Sequence, residues 1–265
     1  MNNLGIIGGS GIYNLDVLDK ISEKTMDTPY GKTNYTLGYF DNKKIIFMTR
    51  HGKNHSIPPH KINYRANIWT LKHLGVSKIY ATTAVGSLNP NYGVGDFVVC
   101  DQLLDFTKNR ISTFFDAPNL PVVHVNFTYP YCPVLRENVI KKLEKTPIKF
   151  HKTGTYVVAD GPRFETKAEI VMYNKLGGDV VGMTNMPEAI LAREAEMCYS
   201  NISIVTNMGA GLTSEELAHK DVVAKMQHST EKMKKLLVLL ISNEIESSTE
   251  CNCANAIKDL GGFNL

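Results

Sequence analysis

Hydrophobic positions along the chain fall into short β-branched runs set between amphipathic stretches. Leu4–Ile7, Lys44–Thr49, Lys78–Val85, Asp96–Cys100, Thr155–Ala159, Asp179–Met183 and Ile202–Thr206 have the composition and length of buried strands. Between them, Ile62, Ala66, Trp69 and Lys72/His73 recur at helical spacing up to Gly75. Glu188–Ala195 follows Pro187 at a first-turn position, where a missing N–H costs a helix nothing. A last helix is expected from about Asp221 to Asn243, with Val222, Met226, Met233, Leu237 and Leu240 on one stripe. Strands alternating with helices predict an α/β fold: a mixed, twisted, largely buried sheet flanked by helices. The least regular stretches are Thr107–Leu120, read as a mobile loop near a site, and the tail after Glu244, read as a frayed end or an intersubunit cover.

Length and composition narrow this picture. A chain of 265 residues, 43% hydrophobic, is expected to form one domain spanning 1–265 with a tail from about 244, although two small domains also fit the length. A net charge of +3 without a basic block argues against nucleic acid as a partner and leaves room for a small anion in a local cationic pocket. The longest apolar run, Leu236 to Ile241, is too short to span a membrane, and the N-terminus lacks a signal-peptide pattern, so a cytoplasmic protein is expected. Five cysteines (Cys100, Cys132, Cys198, Cys251 and Cys253) show no metal-ligand spacing with a nearby histidine; no metal is expected.

Candidate chemistry gathers where strands end. Leu4–Ile7 runs into Gly8-Gly9-Ser10-Gly11, a turn in which backbone N–H groups and a hydroxyl can approach an anion, or simply a tight turn. It matches neither the dinucleotide fingerprint nor the P-loop. The Lys44–Thr49 run delivers Arg50-His51-Gly52, whose planar guanidinium suits phosphate and whose alternative is a surface ion pair. Hydroxyls recur in Thr82-Thr83-Ala84-Val85-Gly86-Ser87 and Met183-Thr184. Gly161-Pro162-Arg163-Phe164-Glu165-Thr166 sets an aromatic ring and a carboxylate after a strand; Phe164 reads as a base-stacking ring or as core, Glu165 as an N–H acceptor or a helix-start charge. Asn207 offers both donor and acceptor, or a turn.

Taken in order, these blocks resemble the trimeric purine nucleoside phosphorylases, and more closely their methylthioadenosine and methylthioinosine phosphorylase branch, over residues 4 to 242. The matching pieces include Asn63-Tyr64-Arg65-Ala66-Asn67, Gly182-Met183-Thr184 and Met186-Pro187-Glu188 besides those above. The resemblance implies a phosphate site of Ser10, Arg50, His51, Thr83, Ala84 and Thr184, Met183 against the ribose and Phe164 against the base. It implies a homotrimer, or a hexamer, in which His124 reaches a neighbour's sugar at the 5′ end. Adenine-specific members carry a pair of aspartates where this chain reads Asn207-Met208-Gly209, and a small hydroxyl residue where it has Glu165. The Glu/Asn combination is similar to the 6-oxopurine enzymes.

Hydrogen-bond counting points the same way. A 6-oxopurine carries hydrogen on N1 for Glu165 to accept, and an O6 for the Asn207 amide; adenine reverses both. His219-Lys220-Asp221-Val222 resembles a helix start that bonds a free 5′-hydroxyl, whereas the Arg50 to Asn67 region is closer to the methylthio branch. The expected activity is phosphorolysis of inosine, guanosine or methylthioinosine, with Asn207, His51 and Glu165 in the chemistry and inorganic phosphate as co-substrate without a further cofactor. The alternatives are phosphorolysis of methylthioadenosine, hydrolysis by a nucleosidase, and nucleoside binding without turnover.

Overall fold

The computed structural model describes residues 3–14, 16–213, 219–243, 245 and 250–264, with backbone alone for 219–228. Among the described residues, eleven strands form one mixed sheet. Its middle is three adjacent parallel strands, β1 (Asn3–Gly8), β4 (Lys43–Thr49) and β5 (Val76–Ser87), joined on the far side of β5 by β11 (Cys198–Met208), also parallel. Two strands absent from the sequence reading, β2 (Asp19–Thr28) and β3 (Gly31–Phe40), form an antiparallel hairpin that extends the sheet past β4. β6 (Phe97–Val99) pairs with β11 and with the two-residue β8 (Phe150–His151). β7 (Gln102–Asp105), β9 (Thr155–Val158) and β10 (Val180–Gly182) complete the other edge.

Period-two alternation explains why the sheet is buried on both faces. Ile7, Ile46, Met48 and Ile79 pack with α1 (Tyr64–His73) and α4 (Asn185–Glu194) through Ile68, Leu71, Ala189 and Ala192. Their neighbours Ile6, Ile45, Phe47 and Tyr80 face α2 (Pro133–Leu143) and α5 (His219–Ser242) through Leu135, Val139, Met233 and Leu237. α3 (Lys167–Lys175) closes a smaller core against β9 and β10. Local signals fix the helix starts. The Asn63 side chain accepts from Ala66 N–H at α1, Pro133 stands in the first turn of α2, and Thr166 and Glu169 form a reciprocal capping box at α3. The described part of the tail is packed and not frayed: Cys253 and Ile257 are buried, and Phe263 packs edge-on against Phe114 and Phe115. Among the described residues no helix is long and apolar enough to cross a membrane.

One topological feature positions the site. β5 is twelve residues long, and β1 accompanies it only as far as Ala81. Beyond, its partner on that side is β10, running antiparallel against Gly86 and Ser87. The stretch from Thr82 to Val85 therefore has an open flank where β1 ends and before β10 arrives. Crevices of this kind, beyond the carboxyl ends of parallel strands, are where open α/β sheets bind ligands.

Candidate active site

The carboxyl ends of β1, β4 and β5 are knotted together by hydrogen bonds. Arg50 N–H donates to Gly8 O (3.1 Å), Gly9 N–H donates to the Thr82 hydroxyl (2.9 Å), and an Arg50 Nη1–H donates to Thr82 O (2.8 Å). Gly9 is required here: a Cβ would run into the Thr82 carbonyl and come within 3.2 Å of Arg50 Nη1. Next to this knot opens a cavity of about 620 Å³ whose lining includes Ser10, Arg50, His51, Thr83, Ala84 and Thr184 together with Phe164, Glu165, Met183 and Asn207.

Arg50 is 1% exposed and is not a surface ion pair. Its Nε and Nη2 donate to the two carboxylate oxygens of Glu188, both at 2.6 Å. Tyr199, whose hydroxyl also bonds Asn185 Oδ1 (2.9 Å), donates to the same carboxylate (2.7 Å). Burial works against the guanidinium charge, and Glu188 outweighs it, holding Arg50 cationic. Three of the five guanidinium N–H groups are thus committed, leaving one on each terminal nitrogen.

His51 presents the opposite case. Burial, aided by Arg50 and His55 and opposed by the bond to the Ile57 carbonyl, pulls its pKa from 6.5 down to about 4. The ring is therefore neutral at pH 7. Because Nδ1 donates to Ile57 O (2.9 Å), the proton sits there and Nε2 is an acceptor. The imidazole stacks on His55 with ring centroids 4.2 Å apart.

Two more of the lining side chains remain incompletely bonded. Glu165 Oε1 is buried without a partner, and burial raises the carboxyl pKa. Asn207 follows a register shift between Val205 and Asn207 in the pairing of β11 with β5, a bulge that re-aims the side chain. Its Oδ1 accepts from the Thr206 hydroxyl (2.9 Å) and its Nδ2 donates to Met208 O (3.0 Å), which fixes the amide orientation and leaves one N–H for another partner. Gly86 makes room for it, since a Cβ there would sit 3.0 Å from Asn207 Nδ2.

Comparison with known proteins places this geometry. The family profile described as "Phosphorylase superfamily" matches residues 3–242. The chain is 49% identical to the 6-oxopurine nucleoside phosphorylase of Pyrococcus furiosus over 267 aligned residues, 99% of this chain and 100% of that protein. It is 45% identical to the S-methyl-5′-thioadenosine phosphorylase of Thermofilum pendens, over 97% of each. Methylthioadenosine phosphorylase from Schistosoma mansoni, solved in complex with adenine, superposes with a TM-score of 0.87 at 33% identity, covering 92% of this chain and 93% of that one. The chain belongs to the phosphorylase superfamily.

Within this superfamily member, most residues singled out from the sequence line the one cavity, and among the described ones Met208, Gly209 and His124 do not. The Thr83 hydroxyl is bonded to the Asn201 side chain (3.2 Å) and the Ser203 hydroxyl (2.9 Å), deep between β5 and β11. Met208 and Gly209 do not line the cavity: Gly209 is buried, its N–H donating to Ser87 O (2.7 Å), and Met208 contributes the carbonyl that holds Asn207. His124 is exposed, away from the cavity of its own chain and not buried in the core. His219 opens α5, but its side chain lies outside the described residues.

Sequence reasoning passed over Glu188 as anything but part of a matching block, because the partner of Arg50 stands 138 positions away. It likewise read Arg110 only as part of an irregular loop. Arg110 Nη1 donates to Met183 O (2.7 Å) and Met186 O (2.6 Å) and its Nη2 to Asp160 O (2.8 Å), pinning that loop behind the cavity wall. The cavity also takes in Tyr13, His55 and Pro58 from irregular segments and Thr230 and Glu231 from α5. Phe164 is 37% exposed and lines the cavity, so it is not a core residue.

Proposed function

We propose that this enzyme cleaves the N-glycosidic bond of 6-oxopurine nucleosides with inorganic phosphate, giving free base and a pentose 1-phosphate. The observation that carries the base assignment is the pair at one end of the cavity: a buried carboxylate oxygen of Glu165 lacking a donor, and an Asn207 amide locked with one N–H spare. A 6-oxopurine supplies the N1–H that Glu165 lacks and takes the Asn207 N–H at O6 or N7. Adenine lacks a hydrogen on N1, leaving Glu165 unpaired at a cost of about 1–3 kcal/mol.

Phosphate occupies the other end, between the Ser10 turn, Ala84, Thr184 and the remaining N–H groups of Arg50. Since Glu188 neutralises Arg50, hydrogen bonds rather than net charge hold the anion. One phosphate oxygen attacks C1′ from the face opposite the base as the C1′–N9 bond breaks, and that bonding pair leaves on the purine. Positive charge on the sugar is stabilised by the phosphate, and negative charge on the base by the Asn207 N–H. Met183 lies along the ribose.

A homotrimer in the cytoplasm fits this reading. In it His124 and the exposed apolar side chains around it, Val122 and Tyr129, are covered by a neighbour. The second substrate class, 5′-methylthio nucleosides, is favoured by the relatives named for methylthioadenosine and by Pro58 and Pro59 on the cavity wall. Competition between inosine and 5′-methylthioadenosine in one phosphate-containing reaction tests the base assignment. Hypoxanthine is expected to appear at least tenfold faster than adenine; faster adenine release overturns the Glu165/Asn207 reading.

A further inference from the structure

Folding brings together four thiols from three separate parts of the sequence. Cys132 is the residue before the first turn of α2, Cys198 opens β11, and Cys251 and Cys253 lie in the tail. Their four Sγ atoms all lie within 4.8 Å of one another. Cys132 and Cys253 are 0% and 1% exposed, Cys198 is partly buried and Cys251 faces solvent. Cys100 is elsewhere, bonded to Ser203, so the cluster is a selected set rather than every cysteine of the chain.

Zinc thiolate bonds of about 2.3 Å in a tetrahedron place neighbouring sulfurs about 3.8 Å apart. Cys198 and Cys251 Sγ stand at 3.7 Å. The other pairs, none wider than 4.8 Å, need to close by about 1 Å at most to reach this spacing, and two of the four sulfurs come from rigid elements, the start of a helix and the start of a central strand. The exposed Cys251 gives a metal ion its way in, and the other three side chains form a nearly dry base.

We infer that Cys132, Cys198, Cys251 and Cys253 form a structural tetrathiolate site for a soft divalent cation, with zinc the best match. Its consequence is local. Besides the burial of Ile257 and the packing of Phe263, the tail beyond Cys253 is tied to the body by Ile257 N–H and Phe263 N–H donating to the Glu196 carboxylate, both at a long 3.3 Å. The tail delivers Phe263 against Phe114 and Phe115 in the loop that Arg110 pins behind Met183. A metal at the thiols thus clamps the tail, and through it the loop behind the cavity, without touching substrate.

The test is elemental analysis and thiol counting on full-length protein purified anaerobically without chelator, followed by titration of the metal-free protein with Co2+ and then Zn2+. Expected are one zinc per chain, five thiols reactive only after unfolding with chelator, and a Co2+ complex with intense visible absorption that one equivalent of Zn2+ bleaches. Cys251→Ser/Cys253→Ser is expected to lose the metal and unfold at lower temperature, with nucleoside turnover retained at low temperature. Should that variant fail to fold, the wild-type titration decides. Recovery of two disulfides without metal overturns the inference, as do five free thiols that take up neither Co2+ nor Zn2+.

Discussion

A neutral His51 whose only proton is tied to Ile57 O changes what this residue can do for an anion. It has no N–H to give; Nε2 must instead accept a proton from the ligand. The phosphate dianion still carries one O–H, and donating it to Nε2 satisfies both groups without net proton uptake. Calorimetric titration with phosphate at pH 8 in buffers of different ionisation enthalpy is expected to show little or no proton uptake; uptake approaching one proton per site would mean that His51 becomes a cation on binding and contradicts the neutral tautomer. The sign for stability follows from the same shift. The folded pKa of about 4 lies below the ordinary 6.5, so from pH 6.5 down towards 4 the unfolded chain gains this proton first and the empty protein loses stability. At the other end of the cavity, Glu165→Ala removes the acceptor for N1–H and is expected to lower kcat/KM for inosine about 10- to 100-fold. Asn207→Ala removes the donor for the charge that develops on the leaving base, with kcat expected to fall about 100- to 1000-fold. In both variants the KM for phosphate is expected to stay within a fewfold of wild type.

The elements carrying these residues differ in how readable they were. β1, β4, β5 and β11 each carry a run rich in apolar and β-branched residues and are largely buried, and such runs announce themselves. The β2–β3 hairpin does not: β2 is mostly exposed, Ser22-Glu23-Lys24 among its residues, and its strand character comes from pairing with β3 rather than from its own pattern. α2 and α3 escaped for lack of a strong apolar stripe, though Pro133 and the Thr166/Glu169 capping box marked their starts. The site residues at strand ends were legible because glycine turns and cationic or hydroxyl groups stand out there. Glu188 was not, since an ion pair between β4 and α4 exists only once the sheet has formed. That pair yields an element-scale prediction: Glu188→Gln strands a guanidinium in the interior and is expected to cost about 3–5 kcal/mol in denaturant unfolding. A loss under 1 kcal/mol would mean that Arg50 reaches solvent.

On the scale of the whole molecule, a sheet covered by helices on both faces leaves its ligand crevice at one strand-end rim, where the partner of β5 changes from β1 to β10. Irregular segments wall that rim, and Val122, His124 and Tyr129 are exposed; in the proposed trimer a second copy covers them. Mixing inactive Arg50→Ala chains with His124→Ala chains is expected to restore part of the activity, because shared sites arise that contain neither substitution; no recovery would place His124 outside the chemistry. The central claim is that phosphate, and not water, takes the sugar. Following inosine with the purified enzyme by 31P NMR tests it most directly. One new phosphoester resonance per hypoxanthine released, and no release without phosphate, is the predicted result; hypoxanthine formed at the same rate in phosphate-free buffer would contradict it.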